Sequence, residues 1–353
     1  MNCDKHYFLG TNAETGFVSL YDDFIKGIDN VYIIKGGPGT GKSTLMKKTA
    51  GSAMDKGYNI EYIHCSSDPD SLDGIYIKEI ETCIMDGTSP HLLEPPYPGA
   101  VGKLINLYEY WDNEFLKKHY EEIKRISSNI SETYERVYLY IAAVGKLQRD
   151  LNKIGFAITN KVKLKGYFER LCSKHIKQTE EKAKERKVFL SSITPKGYKT
   201  FLETINTADY KTLVIDDEYG VSAKALEIIK QKAMKYGHSI ISCYSPIIPN
   251  MMEHLVIPTA KLNVCTSNSL HKIEAQPYCR INITRFFYSD IIKNHKEKIS
   301  FLIRAREEII NESVKLLINC HNKHNDLEEI YKTAVNFDAL TQYTDNLIEQ
   351  IID

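Results

Sequence analysis

Val31-Tyr32-Ile33-Ile34-Lys35, followed by Gly36-Gly37-Pro38-Gly39-Thr40-Gly41-Lys42-Ser43-Thr44, is the stretch on which the fold turns. The first five residues are β-branched or aromatic apart from the last, and they read as a short buried strand. LMKKTAGSAMDKG (45–57) then carries apolar residues at helical spacing and stops at Gly57. A glycine-rich loop between a strand and a helix has a definite physical use. The glycines let the backbone curl so that successive N–H groups point inward, and the helix start adds its own free donors and dipole. The spacing Gly36-x-x-x-x-Gly41-Lys42-Ser43 is the Walker A pattern in the context that pattern requires. It makes residues 36–44 a cradle for nucleotide phosphates, with Lys42 reaching the β- and γ-phosphates and the Ser43 hydroxyl on Mg²⁺. The competing reading is a tight turn that binds nothing.

Working outward, NIEYIHC (59–65) reads as a second strand and SSDPDSLDG (66–74) as a loop crowded with Pro, Gly and acids. ETCIMDG (81–87) is a further short strand that ends on Asp86, where an acid completing a Mg²⁺ site belongs. Asp86 is therefore expected as metal partner and catalytic residue, with Asp86, Asp68 and Glu94 as candidates for positioning the attacking water. Asp68, Asp70 and Asp73 fit an ordinary turn equally well. The Pro-rich HLLEPPYPGA (91–100) crosses to a helical region. From Trp111 to Ile154 apolar residues recur at three- and four-residue steps, predicting one long helix or two with a break. A more charged helical segment over 165–186 completes an expected helical hairpin at about 112–186.

The succession then begins again. RKVFLSSITPKGYKTFLETI (186–205) follows the rhythm of HYFLGTNAETGFVSLYDDFI (6–25), in each case a strand, a turn and an amphipathic helix. YKTLVID (210–216) mirrors NVYIIKG, and KYGHSIISCYS (235–245) lines up with KGYNIEYIHCS (56–66). IPTAKLNVCTSNSLHKIE (257–274) lines up with IKEIETCIMDGTSPHLLE (77–94), placing His271 on His91 and Glu274 on Glu94, a recurrence that points to packing or capping. RINITRFFYSDIIKNHKEKI (280–299) echoes residues 104–123 before helices at about 291–350. An internal duplication accounts for this order and divides the chain into 1–186 and 187–353. In the second copy DDEYGVSAK (216–224) replaces the phosphate loop. No lysine followed by Ser or Thr comes after its glycine, three acids would repel phosphate, and the strand that should carry the metal acid ends on Thr266 and Ser267. Arg280 or Arg285, offered across an interface, would be the one useful remnant.

Composition narrows the rest. The chain has 353 residues, 42% of them apolar, with 46 Lys and Arg balancing 46 Asp and Glu. That excludes a uniformly basic nucleic-acid coat and a disordered chain. Eight isolated cysteines without a CxxC, no run of 18 apolar residues and no leader pattern fit a cytoplasmic protein with no membrane span. Between 146 and 187 stand 13 Lys and Arg against 5 Asp and Glu. This basic patch reads as a solvated helical face or, less directly, a nucleic-acid contact. Cys320, His321 and His324 lack the second cluster that a structural zinc site needs.

IIKGGPGTGKSTLMKK, HCSSDPDSLDG, DGTSPH and PPYPGAV, together with ITPKG at 193–197, resemble an uncharacterised family of tandem P-loop ATPases found in spore-forming Gram-positive bacteria. The resemblance covers essentially the whole chain and implies two homologous P-loop modules with helical insertions. In the family pattern both halves carry a phosphate loop. Lys42 and Ser43 match it and DDEYGVSAK departs, so the expectation is one working site. No NKxD run is present (Asn160-Lys161-Val162-Lys163 lacks the acid), which makes ATP the expected nucleotide. The fold class expected is α/β, a duplicated P-loop NTPase fold with long helical insertions. The function expected is Mg²⁺-dependent ATP hydrolysis driving a switch or motor on an unknown protein partner or within a homo-oligomer. The alternatives are an ATP-gated interaction module without turnover, a nucleic-acid-stimulated ATPase, and a small-molecule or nucleotide kinase. The kinase is disfavoured by the absence of arginine from residue 1 to 124.

Overall fold

A computed structural model describes residues 4–90, 92–205, 209–274 and 276–353; His91 of the repeat alignment lies outside them. The first half runs β1 (Lys5–Tyr7), β2 (Gly10–Ala13), β3 (Gly16–Ser19), α1 (Tyr21–Phe24), β4 (Asn30–Lys35), α2 (Lys42–Asp55), β5 (Ile60–His64), β6 (Leu72–Ile77), β7 (Thr82–Asp86) and β8 (Gly102–Asn106). Three helices follow: α3 (Asn113–Lys118), α4 (Tyr120–Ile158) and α5 (Lys161–His175). The second half repeats the plan with β9 (Glu185–Phe189), β10 (Ser191–Thr194), β11 (Gly197–Thr200), β12 (Lys211–Asp216), α6 (Ser222–Lys235), β13 (Ile240–Tyr244), β14 (Met252–Ile257), β15 (Leu262–Ser267) and β16 (Cys279–Asn282). It ends in α7 (Ser289–Ala334) and α8 (Phe337–Ile352).

Each half builds a six-stranded sheet of the same order. The first is β1-β5-β6-β7-β4-β8 and the second β9-β13-β14-β15-β12-β16. In each, only the third strand runs against the others, which supports an internal duplication of an α/β unit. β6 corrects the sequence reading, because Leu72, Asp73 and Gly74, assigned to a loop, begin a strand. The segments 6–25 and 186–205 differ as well. Each forms a strand and a β-hairpin closed by a single helical turn, where an amphipathic helix was expected.

Both faces of the central strands are apolar, as buried parallel strands require. Along β4, Val31 and Ile33 enter a core shared by the two sheets, whereas Tyr32 and Ile34 face the helices. Near-equivalent contacts join the halves. Phe8 and Phe189 exchange backbone hydrogen bonds of 2.8 and 2.9 Å, and the Thr11 and Ser192 hydroxyls meet at 2.9 Å.

The long helices do not form the expected hairpin within each half. α4 pairs with α7 from the other half, antiparallel, along steps such as Val137, Ile141, Val144, Leu151 and Ile158. A buried polar rung, Arg306 Nη1 donating to Gln148 Oε1 at 2.7 Å, lies within that seam. The last helices are exchanged. Leu164, Phe168 and Cys172 of α5 pack into the helix-side core of the second sheet beside α6, while Leu340, Ile348, Ile351 and Ile352 of α8 complete the core over the first sheet beside α2. Paired backbone bonds fix each crossover: Asn160 N to Phe286 O and Tyr288 N to Ile158 O, then Asp112 N to Ala334 O and Asn336 N to Tyr110 O. A cut at residue 186 would sever β9, whereas one between α5 and β9 separates the repeats in sequence but takes a covering helix from each sheet. No helix among the described residues is long and apolar enough to cross a membrane.

Candidate functional site

The loop 36–41 leaves β4 and enters α2 at Lys42. Gly39 and Gly41 take left-handed conformations (φ +69° and +80°), which admit glycine and strain other residues. Gly37 has no room for a side chain, since a Cβ there would lie 2.6 Å from the Trp111 ring. The Thr40 hydroxyl donates to Gly37 O at 2.8 Å, closing the loop on itself. The Lys42 ammonium folds back over the loop and donates to Gly36 O and Gly37 O, each at 2.8 Å. It also stands 3.6 Å from Asp86 Oδ2. Pro38 is half-buried, Thr44 is exposed, and the Ser43 hydroxyl accepts from Leu72 N at 3.0 Å. α2 begins without a side-chain cap.

Asp86 reaches Lys42 because β7 lies beside β4 with Asp86 in register with Ile34. It is nearly buried, and its Oδ1 accepts from the Thr88 N–H at 2.8 Å and the Thr88 hydroxyl at 2.5 Å. Burial pushes its carboxyl above the ordinary range; Lys42 opposes the shift and Asp73 adds to it. Asp73 is the residue the sequence undervalued. The β5–β6 pairing skips it, passing from Ile63–Gly74 to His64–Leu72, and this bulge re-aims its side chain. Tyr21 Oη donates to Asp73 Oδ2 at 2.8 Å.

The other candidates fall elsewhere. Asp68 shapes its own turn, accepting from the Ser71 hydroxyl at 2.5 Å, and Asp70 pairs with Lys196. Glu94 is exposed and pairs with Lys35 at 2.9 Å, while Lys35 also donates to Gly87 O and Leu93 O. Arg280 is held by Asp216 and Ile273 O in the second half, and Arg285 lies over the Tyr167 and Phe286 rings. Several cations of the 146–187 patch are paired with acids of the first half, among them Arg149 with Glu14 at the surface and Arg186 with Glu61. His324 sits 3.5 Å from Glu328, one helical turn on.

Sequence reasoning missed the groups that cover the loop. Trp111 lies against Gly37, and Tyr331, Glu328 and Lys332 of α7 approach Gly37 and Gly39. They come from remote chain segments, and no local pattern announces them.

The equivalent place in the second half is filled from within. Asp217, standing where Gly36 stands, is almost wholly buried and accepts from Tyr219 N at 2.8 Å and Ser222 N at 2.5 Å. Its carboxylate thus occupies the start of α6, where an anion would otherwise sit. A cleft of about 590 Å³ flanks it, lined by Asp216, Glu218, Lys272 and Arg280 among others. Its lining mixes charges of both signs, and the first N–H of α6 is already taken by Asp217. Comparison with protein-family models, curated proteins and solved structures finds no match to the chain.

Proposed function

We propose that the first half binds ATP with Mg²⁺ and hydrolyses it, and that the bound state is read out through the helices covering the loop. The observation that carries this reading is the contrast between the two loops. Both loops hold a left-handed glycine, but only the first has a lysine resting on its own carbonyls, whereas in the second the Asp217 carboxylate already takes the first N–H of α6. Lys42 rests on the Gly36 and Gly37 carbonyls with the Asp86 carboxylate 3.6 Å away, and phosphate oxygens would draw it off the carbonyls. The loop N–H groups and Lys42 would then carry the charge developing on the γ-phosphate as water attacks.

The donor set suits Mg²⁺, which prefers hard oxygen ligands and keeps several waters. The Ser43 hydroxyl and the Asp86 carboxylate would hold it, with Asp73 as a further acid nearby. When bound, the ion would neutralise charge on the β- and γ-phosphates. Asp86 also serves as acceptor for the attacking water's hydrogen bond, directly or through a second water. Tyr331 and Trp111 touch the same loop, so a γ-phosphate that straightens it would move the end of α7.

Phosphate release from ATP, measured with wild type, Lys42→Ala and Asp86→Asn, tests the reading. Turnover by wild type that falls at least a hundredfold in both variants is the expected result. Activity unchanged by Lys42→Ala would assign the hydrolysis to another site or a contaminant.

A further inference from the structure

We propose a second, separate site: a zinc-class divalent cation bound by Glu253, His254 and His271 in the second half. One donor atom from each of the three lies within 4.8 Å of the other two. Small side-chain adjustments close that triangle to the spacing of ligands about 2.0–2.2 Å from a tetrahedral ion.

Three observations converge on a ligand. His254 is fully buried, and neither of its ring nitrogens has a hydrogen-bond partner. An imidazole always carries at least one N–H, so a dry site leaves that donor stranded, and an orphaned buried group costs about 1–3 kcal/mol. His271 is almost as buried. Its Nε2–H donates to Thr266 O at 3.1 Å, which leaves Nδ1 as a bare lone pair, also without a partner. A ring nitrogen fixed on a backbone carbonyl with the other nitrogen free is the usual posture of a metal-bound histidine. Third, Glu253 and His254 are neighbours on β14 and would ordinarily face opposite sides of the sheet. The pairing with β13 skips Glu253, passing from Cys243–His254 to Tyr244–Met252, and the bulge turns the carboxylate toward the histidine.

The surroundings support the same assignment. Tyr198 Oη donates to Glu253 Oε2 at 3.5 Å, and the Tyr198 ring stacks on His271. Burial holds both histidines neutral, the form that coordinates, with His271 pushed down to about 4. The opposing charge is Arg306, which is engaged with Glu218 at 3.3 Å, Gln148 and Ser269. Two imidazoles and a carboxylate suit zinc over magnesium or calcium. The site is peculiar to this half, because Gly74 stands where His254 stands and a Cβ there would run into Met85. Its occupant would tie β14 to the segment after β15.

Chelator-stripped full-length protein titrated with Zn²⁺, with Co²⁺ as a visible reporter, tests the proposal. One equivalent is expected, with a tetrahedral Co²⁺ spectrum and a raised Tm. Affinity should fall at least tenfold in His271→Gln and in His254→Gln, and stay unchanged in Glu94→Gln, an exposed acid remote from the three ligands. If His254→Gln does not fold, His271→Gln and the wild-type thermal shift decide alone. No stoichiometric ion on folded wild type overturns the proposal, as does binding that is undiminished in His271→Gln.

Discussion

Asp217 and Lys42 show how single side chains set the two halves apart. Asp217→Ala removes the carboxylate that holds the N–H groups of Tyr219 and Ser222, so a loss of about 1–2 kcal/mol is expected, read as a lower urea midpoint. Asp217→Gly should not create triphosphate binding, because no lysine followed by Ser or Thr comes after Gly220. Histidines give a second residue-scale prediction. Burial pushes His64 and His271 down to about 4 and lowers His6 and His254, whereas Glu253 is pushed up to about 7. A histidine whose folded pKa lies below its unfolded value of about 6.5 leaves the unfolded chain holding more protons, so stability falls as pH drops below that point. Glu253 acts the other way between about 4.5 and 7 and offsets one histidine. Metal-stripped protein should therefore lose stability from pH 6.5 toward 4, and His64→Gln should make the loss shallower by about one proton. A flat profile over that range would contradict the assignment of these histidines as neutral and buried.

At the scale of elements, the exchanged helices are the feature to test. Deleting α8 would strip Leu340, Ile348, Ile351 and Ile352 from the core that holds Ile34, Leu45 and Met46. At about 1.5–3 kcal/mol for each buried side chain, the loss rivals the whole stability of an ordinary domain. Hydrogen exchange should show α2 and β4 losing protection before α6 and β12. Equal loss in both halves would contradict the assignment of α8 to the first. Much of this architecture was legible in the sequence. VYIIK, NIEYIHC and ETCIMDG became β4, β5 and β7, and the repeat at a spacing of about 180 residues became two sheets of one order. β6 was hidden because Asp73 and Gly74 interrupt its apolar pattern at a bulge. The partner of α4 was illegible for a different reason: a seam of three- and four-residue steps specifies that a helix packs, and a distant helix with matching steps answers as well as a neighbour. In the candidate site, the meeting of Lys42 and Asp86 at the ends of neighbouring strands was readable from spacing. Asp73, Trp111 and Tyr331 depend on tertiary contacts and were not.

For the whole molecule, the two halves behave as parts of one folded body, since the core between the sheets and both covering helices draw on both repeats. Fragments divided between α5 and β9, at about residue 180, should be largely unfolded when expressed separately, and together they should recover the ellipticity and cooperative melting of the intact chain. Independent folding of either half would contradict the exchange. Coupling between the site and the rest follows from the same arrangement, because α7 begins in contact with α4 and ends over the first loop. The most direct test of the central claim is the stoichiometry of Mg²⁺–nucleotide binding, measured by calorimetry with ATP and a non-hydrolysable analogue on the intact chain. One nucleotide per chain, abolished by Lys42→Ala and unaffected by Asp217→Ala, is the predicted result. Two per chain, or one that survives Lys42→Ala, would contradict the assignment of a single phosphate site to the first half.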